Sequence, residues 1–280
     1  VTYLGVNGEG ELNLEELEAA ITPKTILISV MYANNEIGVI HPVKEIAAIA
    51  AKHNVLFHTD ATQTAGKIPI GVEAEGIHLL SMSAHKLYGP KGVGCLYVRR
   101  KNLRVKLTAQ IDGGGHERGM RSGTLNVPGI VGLGEACEIS RNEMRDEAAR
   151  LKKLRDKLEN ALLELEETQV NGNRAHRLPH ITNISFRHVE SDALMMSFSK
   201  DIAVSSGSAC TSASIEPSHV LKALGLNDDL AHSSIRFSLG RFNTEEQIDF
   251  TIQRVKEAVL KLRGLSPLWE MHKGAASIVK

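Results

Sequence analysis

Aromatic side chains are scarce in this chain, at 4% of 280 residues with a single tryptophan. Cysteines are scarcer. Cys95, Cys137 and Cys210 lie far apart and form no CxxC pair, which argues against a zinc knuckle or a disulfide framework. A reducing compartment follows as the default. An excess of either charge is missing too: 33 Lys and Arg balance 33 Asp and Glu. Nucleic-acid binding usually shows as a basic excess or patch, so no nucleic-acid partner is expected. No apolar run approaches the roughly 20 residues that cross a bilayer, so no membrane is expected either. No signal-peptide pattern follows Val1. The abrupt start, Val-Thr-Tyr-Leu, reads as a strand and points to a truncated or processed chain.

What is present is an average soluble composition, 42% hydrophobic and 24% charged. The length suffices for one large domain or two modest ones. The front half alternates strand and helix patterns. Residues 25–32 are β-branched and apolar, as a buried parallel strand should be. A helix is expected over 42–53, with proline in its first turn and Ile46, Ile49 and Ala50 on one face. Further strands are expected at 55–58, 77–83 and 93–99. Repeated strand–helix–strand units imply an α/β fold, a mostly parallel sheet with helices on both faces. Residues 112–124 are too glycine-rich for regular structure. A long helix is expected over 141–167, with Leu151, Leu154, Leu158, Leu162 and Leu165 on one stripe. It marks the boundary between a large domain, 1–145, and a C-terminal α+β domain, 146–280. That second domain reads as strands at 181–187, 202–205 and 234–239, a helix at 191–199, and a last helix opened by the capping box Thr244-Glu-Glu-Gln247 and stopped at Gly264.

Two strands end in polar clusters, His58-Thr-Asp60-Ala-Thr-Gln63 and Ser81-Met-Ser83-Ala-His85-Lys86. Ligands of open parallel sheets bind beyond the carboxyl ends of strands, so both clusters are expected to face one crevice. Asp60 is either a helix cap or a partner for a protonated pyridine nitrogen, where a carboxylate keeps the ring an electron sink. Lys86 is either a solvated surface lysine or an amine nucleophile, flanked by Ser83 and His85 as phosphate donors. Lys91 reads as ordinary. Cys210 lies in a loop of small polar residues, where a thiol can reach a partner molecule; Cys95 and Cys137, among apolar and small neighbours, read as buried and inert. Arg236 either lines the solvent face of a strand or forks onto a substrate carboxylate. The histidines show no HExxH spacing, and no metal site is expected.

Taken in order, Asn34-Asn35-Glu36-Ile-Gly38, the Asp60 cluster, Ser83-Ala-His85-Lys86-Leu-Tyr-Gly-Pro-Lys-Gly92, the GGGHERGMRSGT stretch and Ser205-Ser-Gly-Ser-Ala-Cys210-Thr-Ser closely resemble the pyridoxal-phosphate cysteine desulfurases of iron–sulfur cluster assembly. These are class V aminotransferases, and the resemblance covers essentially the whole chain. It implies a fold-type I architecture, incomplete at its N-terminus, and a homodimer. It implies pyridoxal 5'-phosphate held by Lys86, covalently, with Asp60 on the pyridine nitrogen, Gln63 on the phenolate oxygen, and Ser83 and His85 on the phosphate. Thr124 reaches the phosphate of the partner subunit. The resemblance also puts Asn35 on the cofactor and, with Arg236, on the carboxylate of L-cysteine. Cys210 takes the sulfur as a persulfide, leaving L-alanine, and passes it to an iron–sulfur scaffold or another acceptor protein. The tail, Ser266-Pro-Leu-Trp269-Glu-Met271, resembles the part that docks the scaffold; its bland reading makes Trp269 a packing anchor. The implied compartment is the cytoplasm, or an organelle matrix. Relatives carry roughly another hundred residues ahead of the point matching Val1, part of a domain in size. That part supplies a histidine stacked on the cofactor ring and a phosphate cradle, so an open sheet edge with exposed apolar surface is expected here. The alternatives are a selenocysteine lyase or other pyridoxal-phosphate enzyme such as an aminotransferase, which needs no thiol, and a truncated non-catalytic scaffold.

Overall fold

A computed structural model describes residues 1–101, 105–206 and 216–278. Elements follow in the order α1 (Leu14–Ala19), β1 (Leu27–Met31), α2 (Val43–Lys52), β2 (Leu56–Asp60), β3 (Leu79–Ser83) and β4 (Gly94–Val98). Next come α3 (Val127–Leu162), β5 (Thr168–Val170), β6 (Ile181–Phe186), α4 (Ser191–Phe198) and β7 (Ser205–Ser206). The chain closes with α5 (His219–Ala223), α6 (Asp228–His232), β8 (Ser234–Ser238), α7 (Glu245–Gly264) and α8 (Pro267–Ile278).

The first sheet runs β1-β2-β3-β4. Its first three strands are parallel and β4 returns antiparallel to β3. Asn13 caps α1, its side chain accepting from the Glu15 and Glu16 amides. Together α1 and α2 cover the sheet face that carries Phe57 and Leu80, burying Leu17, Ile46 and Phe57 almost completely. The opposite face carries Leu27, Met31 and Leu96, which are 43%, 39% and 49% exposed. Val127 and Val131 at the start of α3 are exposed as well. This is the open apolar packing expected above. The strand expected at the first residues does not form: Val1 and Tyr3 lie in solvent, with no neighbouring strand to pair with among the described residues, where Val6 makes an isolated bridge to Leu12. Cys95 and Cys137 are exposed rather than buried. Cys95 lies on the edge strand β4, which has no strand beyond it among the described residues.

The second sheet is antiparallel, β5-β6-β8-β7. β6 is buried along its whole length. Ile184 and Phe186 face the core made with Leu151 and Leu158 of α3 and Val255 of α7. On its other face Asn183 donates to the Glu36 carbonyl at 3.4 Å, a contact that joins the two sheets' surroundings. The capping box at Thr244 and Gln247 is in place. Helix α3 starts fourteen residues earlier than its heptad of leucines suggests, because Asn126 caps it and proline sits in its first turn. It runs unbroken through residue 145. Leu133 and Ala136 pack on the turn that holds Lys86, while Leu151, Leu154, Leu158 and Leu162 serve the second core.

α3 also buries charge. Glu147, Arg155 and Glu159 recur on one helical stripe and are almost fully enclosed. Glu147 pairs with Lys67 at 3.0 Å and Arg241 at 2.7 Å. Glu159 meets Arg177 at 2.6 Å and accepts from the Thr182 hydroxyl at 2.6 Å. Burial alone would raise both carboxyls; the cations and hydrogen bonds outweigh it and hold them below the ordinary range.

Candidate active site

Parallel pairing brings the carboxyl ends of β1, β2 and β3 level: Met31 is opposite Asp60, and Asp60 opposite Ser81. A polar ladder crosses the open face just before these ends. His58 Nδ1 lies 2.8 Å from the Ser29 hydroxyl and Nε2 3.2 Å from that of Ser81. Burial lowers the affinity of His58 for a proton, with Asp60 opposing.

Asp60 closes β2. One carboxylate oxygen accepts from the Thr62 amide at 2.8 Å, the turn-forming bond expected of an aspartate after a strand. The side chain is otherwise open to solvent, and Gln63 follows it half-buried. At the end of β3 the Ser83 hydroxyl and His85 Nδ1 are 2.6 Å apart. Lys86 sits in the 3-10 turn Ala84–Leu87, held by its two apolar ends: Ala84 is 0% and Leu87 2% exposed. Tyr88 ends the turn in the left-handed region, φ 66°, and the Gly89 amide closes it on the Ala84 carbonyl at 2.9 Å. Lys86 itself is exposed.

The loop after β1 starts beside Asp60, whose carbonyl accepts from the Tyr32 amide at 2.8 Å. The Asn34 side chain accepts from the Glu36 and Ile37 amides, shaping a tight turn that leaves Asn35 at its crest. Arg236 reaches this loop from β8. Its guanidinium donates to the Asn35 carbonyl at 2.9 Å and to the Ser205 hydroxyl at 3.2 Å. Its Nε is buried with no partner. Arg236 is thus a half-buried interlobe residue and not a solvent-facing one. Thr124 lies apart, on a glycine-rich stretch exposed at all but a few positions. Cys210 lies outside the described residues.

Glu36 is a motif residue to which the sequence assigns no role of its own. It is buried, and its carboxylate accepts from the Ser218 hydroxyl at 2.6 Å. Burial pushes the Glu36 carboxyl up, against Ser218, His219 and Arg236. Ser218 caps α5, so Glu36 ties the Asn35 loop to the element that follows residues 207–215. A serine ahead of an apolar helical run is the one sequence signal for that cap.

The donor set fits a pyridoxal phosphate: a carboxylate acceptor for a ring N–H, a hydroxyl–imidazole pair for a phosphate, and an exposed amine for an aldehyde. The aminotransferase class-V family model matches residues 1–250. The chain is 60% identical to the cysteine desulfurase IscS of Mannheimia succiniciproducens over 280 residues, all of this chain and 69% of that one. It is 61% identical over 273 residues to the protein of that name from Haemophilus influenzae, covering 98% of this chain and 67% of the relative. Among solved structures it resembles a NifS-like protein at TM-score 0.82 and 40% identity, over 92% of this chain and 67% of that one. A NifS-like protein from Rickettsia africae matches at TM-score 0.83 and 34% identity, over 91% of this chain and 68% of the other.

Proposed function

The chain belongs to the class-V aminotransferase family, and on that premise we propose that its site performs cysteine desulfuration with pyridoxal 5'-phosphate as cofactor. The enzyme converts L-cysteine to L-alanine and passes the sulfur to an acceptor. The observation that carries this reading is the placement of Lys86 and Asp60 at the ends of neighbouring strands, in a chain alignable over its whole length with cysteine desulfurases.

In this reading Lys86 supplies the amine that holds the cofactor, and Asp60 accepts from the pyridine N–H. Gln63 faces the ring's phenolate oxygen, and Ser83 with His85 holds the phosphate. The cofactor, when bound, supplies an electron sink next to the substrate α-carbon. Lys86, once released, moves protons at that carbon and at the departing alanine. Asn35 and Arg236 hold the substrate carboxylate; the contact of the Arg236 guanidinium with the Asn35 loop, which brings the two together, supports this. Cys210 takes the sulfur as a persulfide, its thiolate attacking the substrate sulfur while the C–S electrons stay with the alanine product. The exposed 112–124 stretch supports a homodimer in which Thr124 serves the partner subunit's phosphate site. The acceptor is an iron–sulfur scaffold or another sulfur-acceptor protein. The working compartment is the cytoplasm, or an organelle matrix; the curated relatives compared above are bacterial. Among the described residues no helix is long and apolar enough to cross a membrane. The two domains are 1–145 and 146–280, with α3 shared between them.

The test is a visible absorption spectrum of the chain with added pyridoxal phosphate, beside Lys86→Ala. A band that requires Lys86, followed by alanine release from cysteine, is the expected result. A band of equal strength in Lys86→Ala overturns the assignment of the lysine.

A further inference from the structure

Away from the strand ends that carry Lys86, the close of the β5–β6 pair holds a second group of chemistry-bearing side chains. Thr168 is opposite Phe186, so Glu167 and His188 flank the open end of that pair. Both residues adopt left-handed backbone, φ 52° and 66°, a region that non-glycine residues seldom occupy. Arg263 of α7 holds them there. Its guanidinium is 1% exposed and donates to the carbonyls of Glu166 at 2.6 Å, Glu167 at 3.1 Å and Arg187 at 3.1 Å.

Helix α8 then folds across this clamp. Trp269 lies over the Arg263 guanidinium at 4.5 Å, and the His188 and His272 rings are 5.0 Å apart. Glu167 Oε1 is 3.6 Å from His272 Nε2, and the other Glu167 oxygen is 3.2 Å from Arg187 Nε. Glu167, His188 and His272 each offer one ligand atom, and these three atoms lie within 4.8 Å of one another. An ion pair between Glu167 and His272 accounts for only part of this arrangement. His188 Nε2 is buried with no hydrogen-bond partner, and the ring is turned onto the pair by strained backbone.

We propose that Glu167, His188 and His272 bind one divalent first-row transition cation of the zinc or nickel kind, with a further position open to water. Two imidazoles and a carboxylate suit such ions, whereas magnesium and calcium take oxygen ligands. Tetrahedral bonds of about 2.0–2.1 Å put ligand atoms roughly 3.4 Å apart, so a small rotation of the half-exposed His272 closes the set. Arg187 orients the carboxylate as an outer partner. The cations Arg187, Arg263 and Lys273 crowd the site and weaken the expected affinity. A bound ion would pin α8 to the β5–β6 end.

Trp269 is the only tryptophan, so its emission reports this site alone. The experiment titrates nickel(II) into the chain loaded with pyridoxal phosphate, without cysteine and in a non-chelating buffer. The expected result is saturable quenching at one equivalent, reversed by zinc(II). His272→Gln and His188→Asn each weaken it by about 10-fold or more, and Cys95→Ser with Cys137→Ser leaves it unchanged. His272 is on a half-exposed helix face, and asparagine tolerates left-handed backbone, so both variants keep the fold, checked by circular dichroism. Absent or non-saturating quenching in the parent chain overturns the proposal. So do histidine variants that titrate like the parent, which would place the ion on thiols or cofactor.

Discussion

His180 is the buried histidine whose protonation the fold most strongly opposes. It is 6% exposed, its Nδ1 has no partner, and it lies between Lys67, Glu147 and Arg155. Burial, then the Lys67 and Arg155 cations, push its pKa down from 6.5 to about 3, with Glu147 opposing. In the unfolded chain the ring titrates near 6.5. Between those values the unfolded chain binds a proton that the folded one does not, so stability rises with pH and is lost as pH falls below about 6.5. From pH 7 to pH 5 the loss from this one group is about 2 kcal/mol. The perturbation is His180→Asn, followed by guanidinium unfolding at both pH values by circular dichroism. Titrations common to both proteins cancel in the difference between them. The substitution costs stability at pH 7, and that cost should shrink by about 2 kcal/mol at pH 5. An identical cost at both pH values would refute the claim that His180 is folded as a neutral ring.

Glu159→Ala leaves Arg177 buried without its carboxylate, and an unfolding loss of about 3–5 kcal/mol is expected, against under about 1 for an exposed pair such as Lys152–Asp156. Arg236→Ala should keep the Lys86-dependent absorption band and lower kcat/KM for cysteine by roughly 10- to 150-fold, the worth of a charge-assisted contact of about 1.5–3 kcal/mol; unchanged steady-state kinetics would remove it from the substrate site. Cys210→Ala should bind cofactor normally and form no protein persulfide, read by thiol-labelling mass spectrometry; a persulfide retained in that variant would move the nucleophile elsewhere.

Strand and helix positions around Asp60 and Lys86 were legible because apolar runs ended abruptly in polar clusters, and chain order then fixed which ends meet. The start of α3 was not, since Val127 to Gly134 is rich in glycine and its signals were a cap and a proline rather than a stripe. α8 escaped because α7 does stop at Gly264, capped by Leu265, and that stop read as the end of the last helix although α8 begins again at Pro267. The buried charges of α3 were not legible. Glu147, Arg155 and Glu159 find partners at Lys67, Arg241 and Arg177, distant in sequence, so no local pattern marks them as buried. Cys95 was misjudged because an apolar neighbourhood in sequence says nothing about whether a strand is at an edge.

These buried charges bear on the active site through geometry. Asp60 ends a strand of the first sheet, Lys86 lies in the turn that follows its neighbour, and Arg236 belongs to the second sheet; under the proposed function the substrate's reacting carbon lies between what they would hold. Apolar surfaces tolerate small sliding, whereas an ion pair with hydrogen-bonded lone pairs fits one register only. The stripe on α3 supplies that register. Glu147 draws Lys67 of the first lobe and Arg241 of the second onto one carboxylate, and Arg155 donates to the Leu178 carbonyl at 2.7 Å. Asn183 and Arg236 then meet the Glu36 and Asn35 carbonyls without further adjustment. Under the proposed function, loosening the α3 seam should therefore raise KM for cysteine with the Lys86-dependent absorption band unchanged, because the seam sets the distance between Arg236 and Lys86.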